Sequence, residues 1–187
     1  MRIVAGSARG RTFDAPEGKD TRPTLDRVRE NVFNILQYKV REASVLDLFS
    51  GSGAMAFEAI SRGAVNAVLV DCDRTAHAVQ KKNAEKLHMT AQCRILLCDW
   101  RVAVEQLAGK QAAFDLIFLD PPYAMHDMTA VMTAIKPLLK ADSVILLEHE
   151  AKVFPATPDG FELYDSRKYG IAGVSFFHLR NMEGGSL

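Results

Sequence analysis

From residue 44 onward, short apolar runs alternate with stretches whose apolar positions recur every three or four residues. Residues 44–49, 67–71, 94–98, 114–119 and 143–148 are the runs, near-continuous in Val, Leu, Ile and Phe. Such runs mark strands buried on both faces, as in a parallel sheet covered by crossover helices. The intervening stretches at about 54–62, 74–87, 102–107 and 127–139 read as helices, the first stopped by Gly63. Strand and helix alternating in this way predict a doubly wound α/β fold.

After Pro155 and Pro158 the helical pattern ends. Residues 161–164 and 174–179 read as two further strands joined through Lys168-Tyr169-Gly170, an antiparallel pair closing one edge of a mainly parallel, seven-stranded sheet. Ahead of the sheet, residues 2–6 and 10–13 read as a hairpin and residues 16–23 as a polar connector. Thr24 then caps a helix with Leu25, Val28, Val32 and Ile35 or Leu36 on one face. The expected organisation is an extension over 1–43 belonging to the same compact unit, a main domain over 44–182 and a frayed tail over 183–187.

Composition narrows the class. A chain of 187 residues with 48% hydrophobic and 25% charged residues is an ordinary single-domain globule. No apolar run long enough for a membrane span and no signal-type start are present, so a cytoplasmic protein with no membrane partner is expected. Three cysteines without a C-x-x-C pair indicate neither a disulfide framework nor a thiolate metal site; they read as small buried hydrophobes, and no metal is expected. His149, between Glu148 and Glu150, reads as a strand-end histidine. Met125, Met128 and Met132 read as packing residues. Net charge is zero, with 23 basic and 23 acidic side chains, which excludes an overall coat of positive charge. Residues 1–29 nevertheless carry seven basic against four acidic side chains. That local surplus is the signature of a basic arm, with Arg9 and Arg11, and with Lys168 and Arg167 adding to it, on nucleic-acid phosphates.

The unusual residues cluster where an open α/β sheet binds ligands, at the carboxyl ends of its strands. Gly51-Ser52-Gly53 follows the first strand and Ala56 completes G-x-G-x-x-A; Asp71 stands 20 residues beyond Gly51, positioned for ribose hydroxyls. Asp47 is a carboxylate inside an apolar strand, costly unless a cation or donor meets it. Asp99 reads equally as the N-cap of the next helix or as an acceptor for an adenine amine, and Trp100 beside it as an aromatic face or a packing residue. Asp120-Pro121-Pro122-Tyr123 is the most specific signal. Two prolines stop the ladder and stiffen the backbone, so a carboxylate, carbonyl oxygens and a ring converge on a planar base bearing an exocyclic amine.

Together, Leu46-Asp47-Leu48-Phe49-Ser50-Gly51-Ser52-Gly53, Asp71, Asp99 and Asp120-Pro121-Pro122-Tyr123 resemble the ordered motifs of class I S-adenosyl-L-methionine-dependent methyltransferases of the amino-methylating type. More narrowly, residues 22–34, Arg2-Ile3-Val4-Ala5-Gly6, Gly10-Arg11 and Lys168-Tyr169-Gly170 resemble the RsmD family, which methylates the N2 amine of a guanine in bacterial 16S rRNA. The resemblance implies a Rossmann-like fold and S-adenosyl-L-methionine as cofactor. It also implies 16S rRNA as substrate, naked or within an assembling small ribosomal subunit, and a monomer is expected. It puts Gly51 and Gly53 beside the methionine part, Asp47 at its amino group, Asp71 at the ribose and Asp99 at the adenine, with Arg22 and Thr24 closing over the cofactor. It makes Asp120 and Pro121 the acceptors for the target amine, with Pro122 and Tyr123 against the base. Asp71 stands where the family commonly has glutamate, and Ser50 where alanine is frequent.

Three other readings fit fewer residues. An adenine-N6 methylase shares Asp120-Pro121-Pro122-Tyr123 but usually carries an added recognition region. An NAD-dependent oxidoreductase shares the glycine turn but has no use for that motif. A non-catalytic RNA-binding module needs neither.

Overall fold

The computed structural model describes residues 1–16, 23–122, 125 and 127–180, with residues 23–25 described by their backbone alone. Five strands run in parallel: β1 (Ser44–Asp47), β2 (Asn66–Asp71), β3 (Cys93–Leu97), β4 (Phe114–Leu119) and β5 (Leu139–Glu150). β6 (Phe161–Tyr169) and β7 (Ala172–Leu179) are antiparallel to each other, and β7 pairs antiparallel with β5. The resulting sheet has seven strands in the order β3-β2-β1-β4-β5-β7-β6. Helices α1 (Pro23–Ile35), α2 (Gln37–Val40), α3 (Ala54–Ser61), α4 (Arg74–Leu87), α5 (Trp100–Ala108) and α6 (Thr129–Ile135) complete the fold.

Neighbouring strand residues point to opposite faces, and both faces are apolar. Val45, Leu69, Leu116 and Phe118 pack with Phe33 of α1 and Phe57 of α3. Leu46, Val68, Val70, Ile117 and Leu119 pack with Leu107 of α5 and Met132 of α6. The doubly wound expectation therefore holds, with the strand order reversing between β1 and β4.

Several boundaries differ from the sequence pattern. β1 ends at Asp47, because Leu48 and Phe49 already turn toward the glycines, although Leu48 N–H still donates to the Phe118 carbonyl at 3.1 Å. The helix expected over 127–139 is α6 followed by a 3-10 turn at Lys136–Leu138, where Pro137 lacks the N–H that would continue it. β6 and β7 are longer than their apolar cores, so Lys168 and Tyr169 lie in β6 and the turn falls at Gly170-Ile171. The amino-terminal hairpin is reduced to one antiparallel bridge, Arg2 to Thr12, around a tight loop. α1 begins at Pro23, so the Thr24 backbone is inside the first turn rather than at the cap. Cys72 is exposed and Cys93 and Cys98 are half-buried, which corrects the expectation that all three are buried.

The amino-terminal segment is docked by buried polar side chains. Glu58, fully buried on α3, accepts the N–H groups of Val4 and Ala5 at 2.8 and 3.0 Å and pairs with Arg62 at 2.7 Å and Arg29 at 3.6 Å. Ser61 Oγ accepts Ala8 N–H and donates to the Ala5 carbonyl. A side chain at Gly6, which has φ +84°, would collide with the Ser61 carbonyl.

Candidate active site

The turn from β1 to α3 is shaped from three sides. Asp71, last residue of β2, accepts Gly51 N–H through Oδ2 at 2.8 Å and Asp73 N–H through Oδ1 at 2.9 Å. From α4, Gln80 donates to Ser50 Oγ at 3.0 Å and to the Gly51 carbonyl at 2.8 Å, while Asn83 donates to the carbonyls of Ser52 and Asp14. Gly53 has φ +82°, and a Cβ there would lie 2.5 Å from Phe57 Cε2 and 2.8 Å from Leu69 Cδ2, so only glycine fits.

Three carboxylates mark the ends of three adjacent strands: Asp47 closes β1, Asp71 closes β2 and Asp99 lies just beyond β3. Asp47 is buried and accepts Ala56 N–H at 3.3 Å. Burial, with the like charges of Asp120 and Asp71, pushes its carboxyl up to about 8. Asp99 is the N-cap of α5, accepting Arg101 N–H at 2.9 Å. The charges of Asp71 and Asp120 around the Asp47 carboxyl favour a ligand carrying positive charge, which would ionise Asp47, and repel a pyrophosphate. This observation fits the sulfonium and ammonium of S-adenosyl-L-methionine and counts against NAD.

The second half of the site lies across the switch point. Asp120 follows β4 directly, and with Pro121, Pro122, Met125, Met128, Glu148 and the loop after β5 it lines an open cleft with about 550 Å³ of empty space. The Pro122 carbonyl accepts Met125 N–H at 2.8 Å, so it is engaged in a turn. No backbone N–H among the described residues reaches the Pro121 carbonyl. Of the two proline carbonyls, Pro122's is thus the one taken up by the turn. Burial and the Asp120 charge push the Glu148 carboxyl up to about 8. His149 also borders the cleft, with its Nε2 2.9 Å from Ser175 Oγ.

The structure brings together Asp47, Gly51, Gly53, Asp71 and Asp99 on one side and Asp120, Pro121 and Pro122 on the other. Trp100 is corrected: it is buried in the core with Leu46 and Val70, and the Arg101 guanidinium lies 4.4 Å over its ring, so it packs rather than offering a stacking face. Arg9 and Arg11 are exposed but are not brought to the cleft. Their loop docks on Ser61 and Leu87, at the carboxyl ends of α3 and α4, with Arg11 donating to the Leu87 carbonyl at 3.2 Å. Crossover helices return the chain to the amino ends of the strands, opposite the site. Lys168 pairs with Gly173, itself opposite His149, and so stands at the cleft's end of the sheet. Arg22, Tyr123, His126 and residues 183–187, like the Thr24 side chain, lie outside the described residues. Gln80, Asn83 and Glu148 were missed in the sequence, as was the place of Met125 and Met128 in the cleft wall.

Comparison with known proteins gives this geometry a family. The family model described as "Conserved hypothetical protein 95" matches residues 1–178. The chain belongs to this family. Relatives of this chain include YlbH of Bacillus subtilis (strain 168), provisionally named an rRNA methyltransferase. It is 35% identical over 183 residues, covering 96% of this chain and 100% of its own. "Ribosomal RNA small subunit methyltransferase D" of Escherichia coli (strain K12) is 32% identical over 186 residues, covering 98% and 90%. Among solved structures, yhhF from Escherichia coli, provisionally named a methyltransferase, superposes with a TM-score of 0.83 at 29% identity over 96% of this chain and 97% of its own. The RsmD resemblance in the sequence is thereby confirmed at the level of the family.

Proposed function

We propose that this protein is an S-adenosyl-L-methionine-dependent methyltransferase acting on the N2 amine of a guanine in small-subunit rRNA. The observation that carries the reading is the Asp120-Pro121-Pro122 strand end, which borders an open cleft beside a carboxylate-rich glycine turn. The names of its relatives support the rRNA substrate.

S-adenosyl-L-methionine would supply a methyl group on a positively charged sulfur, open to in-line displacement by the guanine N2, with S-adenosyl-L-homocysteine as leaving group and the amine proton passing to water. Asp47 meets the ammonium of the methionine part, Gly51 and Gly53 let the backbone approach it, and Asp71 and Asp99 serve the ribose and adenine. Asp71 holds the glycine turn with its N–H bonds and has acceptor capacity left on each oxygen. Arg22 and Thr24 close this side.

The exocyclic amine is a weak nucleophile because its lone pair is delocalised into the ring. Hydrogen bonds from the amine to the Asp120 carboxylate and the Pro121 carbonyl favour a tetrahedral nitrogen and hold it in line, combining orientation with electrostatic stabilisation. The guanine leaves its stack to enter the cleft, against Pro122 and Tyr123. RNA phosphates cross the cleft's end of the sheet near Lys168, and Arg9 and Arg11 form a separate basic surface at the opposite end.

The test is to incubate the protein with a labelled methyl donor and either small-subunit rRNA or duplex DNA, then to digest and identify nucleosides by mass. N2-methylguanosine from rRNA is expected. N6-methyladenine, or no transfer to rRNA or to assembled small subunits, overturns the reading.

A further inference from the structure

Glu148 has no role in the chemistry above, yet it faces the same cleft. Leu147 of β5 is in parallel register with Leu119 of β4. The residues that follow, Glu148 and Asp120, therefore stand side by side, about 4.8 Å apart at ordinary strand spacing. Both line the cleft with Pro121. Glu148 also lies opposite Val174 of β7, so its backbone is fixed between two partners. The Asp120 charge makes ionising Glu148 beside it costly, a cost that N–H donors on a ligand would offset.

Resting on the guanine-N2 reading, we infer that Glu148 is the specificity-determining residue of the site: its carboxylate accepts the N1–H of guanine while Asp120 accepts the neighbouring N2 amine. Among the four RNA bases, only guanine has an exocyclic amine flanked by a ring N–H. Adenine and cytosine carry an amine flanked by a ring nitrogen lone pair, which an ionised carboxylate, an acceptor only, repels. Uracil has no amine. The side-by-side carboxylates thus match one base edge, and that edge is the one the base presents once unstacked.

The charged and titratable surroundings of Glu148 are consistent with this role. Asp120 faces it from the end of β4, His149 and Glu150 follow it on β5 and border the same cleft, β7 presents Val174, and the loop after β5 contributes Val153, Pro155 and Ala156. Burial, with the Asp120 charge beside it, keeps the proton on Glu148 up to about 8 before the base arrives. Guanine N–H donors favour the ionised form, so transfer to guanine strengthens as pH rises toward 8.

The deciding experiment compares methyl transfer to RNA carrying guanine or 2-aminopurine at the target position. 2-aminopurine keeps the amine but has a lone pair at N1 and no N1–H. Above a pH of about 8, where Glu148 is ionised and accepts only, the wild type should favour guanine in kcat/KM by ~10- to 100-fold. Glu148→Ala should reduce that preference to about threefold or less. Glu148→Gln, which keeps the volume and can turn an amide N–H toward N1, should raise transfer to 2-aminopurine relative to guanine. Cofactor affinity by calorimetry identifies folded variants, and if Glu148→Ala fails to bind cofactor, Glu148→Gln decides. Equal use of both bases by the wild type, or an unchanged preference in a folded variant, overturns the role of Glu148. Absence of any N2 methylation by the wild type overturns the guanine-N2 reading itself.

Discussion

The Asp71 carboxylate accepts the backbone N–H of Gly51 at 2.8 Å, tying the end of β2 to the glycine turn that follows β1. One residue thereby serves both the fold and the cofactor side of the site. Asp71→Ala should weaken S-adenosyl-L-methionine binding by about tenfold or more and lower stability by about 2 kcal/mol, since charge-assisted bonds to two N–H groups are lost. Calorimetric titration and denaturant unfolding check the two effects; unchanged cofactor affinity would remove Asp71 from the site.

Asp47 makes the fold pH-sensitive. Its carboxyl titrates near 8 in the folded protein, against 3.8 for the group in its ordinary state. Between those values the unfolded chain has released a proton that the folded one retains, so this group lowers stability as pH rises from about 4 to about 8. Asp47→Asn keeps the acceptor for Ala56 N–H and removes the titration. The Tm difference, variant minus wild type, should therefore grow in the variant's favour from pH 5 to pH 8, while cofactor affinity falls. A pH-independent difference would contradict the buried, protonated Asp47.

Glu58 anchors the amino-terminal segment. Glu58→Ala strips two backbone N–H groups of their acceptor and takes the buried carboxylate from Arg62, 2.7 Å away, and from Arg29, which keeps Asp26 at 2.8 Å. Breaking a buried pair from one side costs about 3–5 kcal/mol. Urea unfolding should show a loss of that size, and a loss below about 1 kcal/mol would mean that the segment is not held this way.

RNA binding should follow the placement of the basic groups. Lys168→Glu, at the cleft's end of the sheet, should lower rRNA affinity and reduce the salt dependence by about one phosphate contact. Arg9→Glu, beyond the carboxyl ends of α3 and α4, should have the smaller effect. Filter binding across salt concentrations distinguishes them, and a stronger effect at Arg9 would place the RNA on the opposite end of the molecule.

Strands buried on both faces announce themselves as apolar runs, and Phe114–Leu119 is legible residue for residue. β6 is not, because beyond Leu163 its residues alternate with solvent and its polar half carries no hydrophobic signal. The strand-end acids and Asp120-Pro121-Pro122 were legible because polar residues at those positions break an apolar pattern. Gln80, Asn83 and Glu58 were hidden for the opposite reason. They sit in helices where polar residues are ordinary, and the backbone groups they bind lie 29 to 69 residues away in the chain. Glu148 emerged only from the β4–β5 register, which sets it beside Asp120. The path of the Arg9–Arg11 loop was illegible because it depends on Ser61 and Leu87, at the far ends of two crossover helices.

The central claim, that the Asp120 strand end activates a guanine amine, is tested most directly by single-turnover methyl transfer to small-subunit rRNA with wild type and Asp120→Ala, alongside calorimetry with S-adenosyl-L-methionine. The account predicts that the rate of N2-methylguanosine formation falls by on the order of 100-fold or more while cofactor affinity stays within about threefold. A variant that forms N2-methylguanosine at the wild-type rate would contradict it.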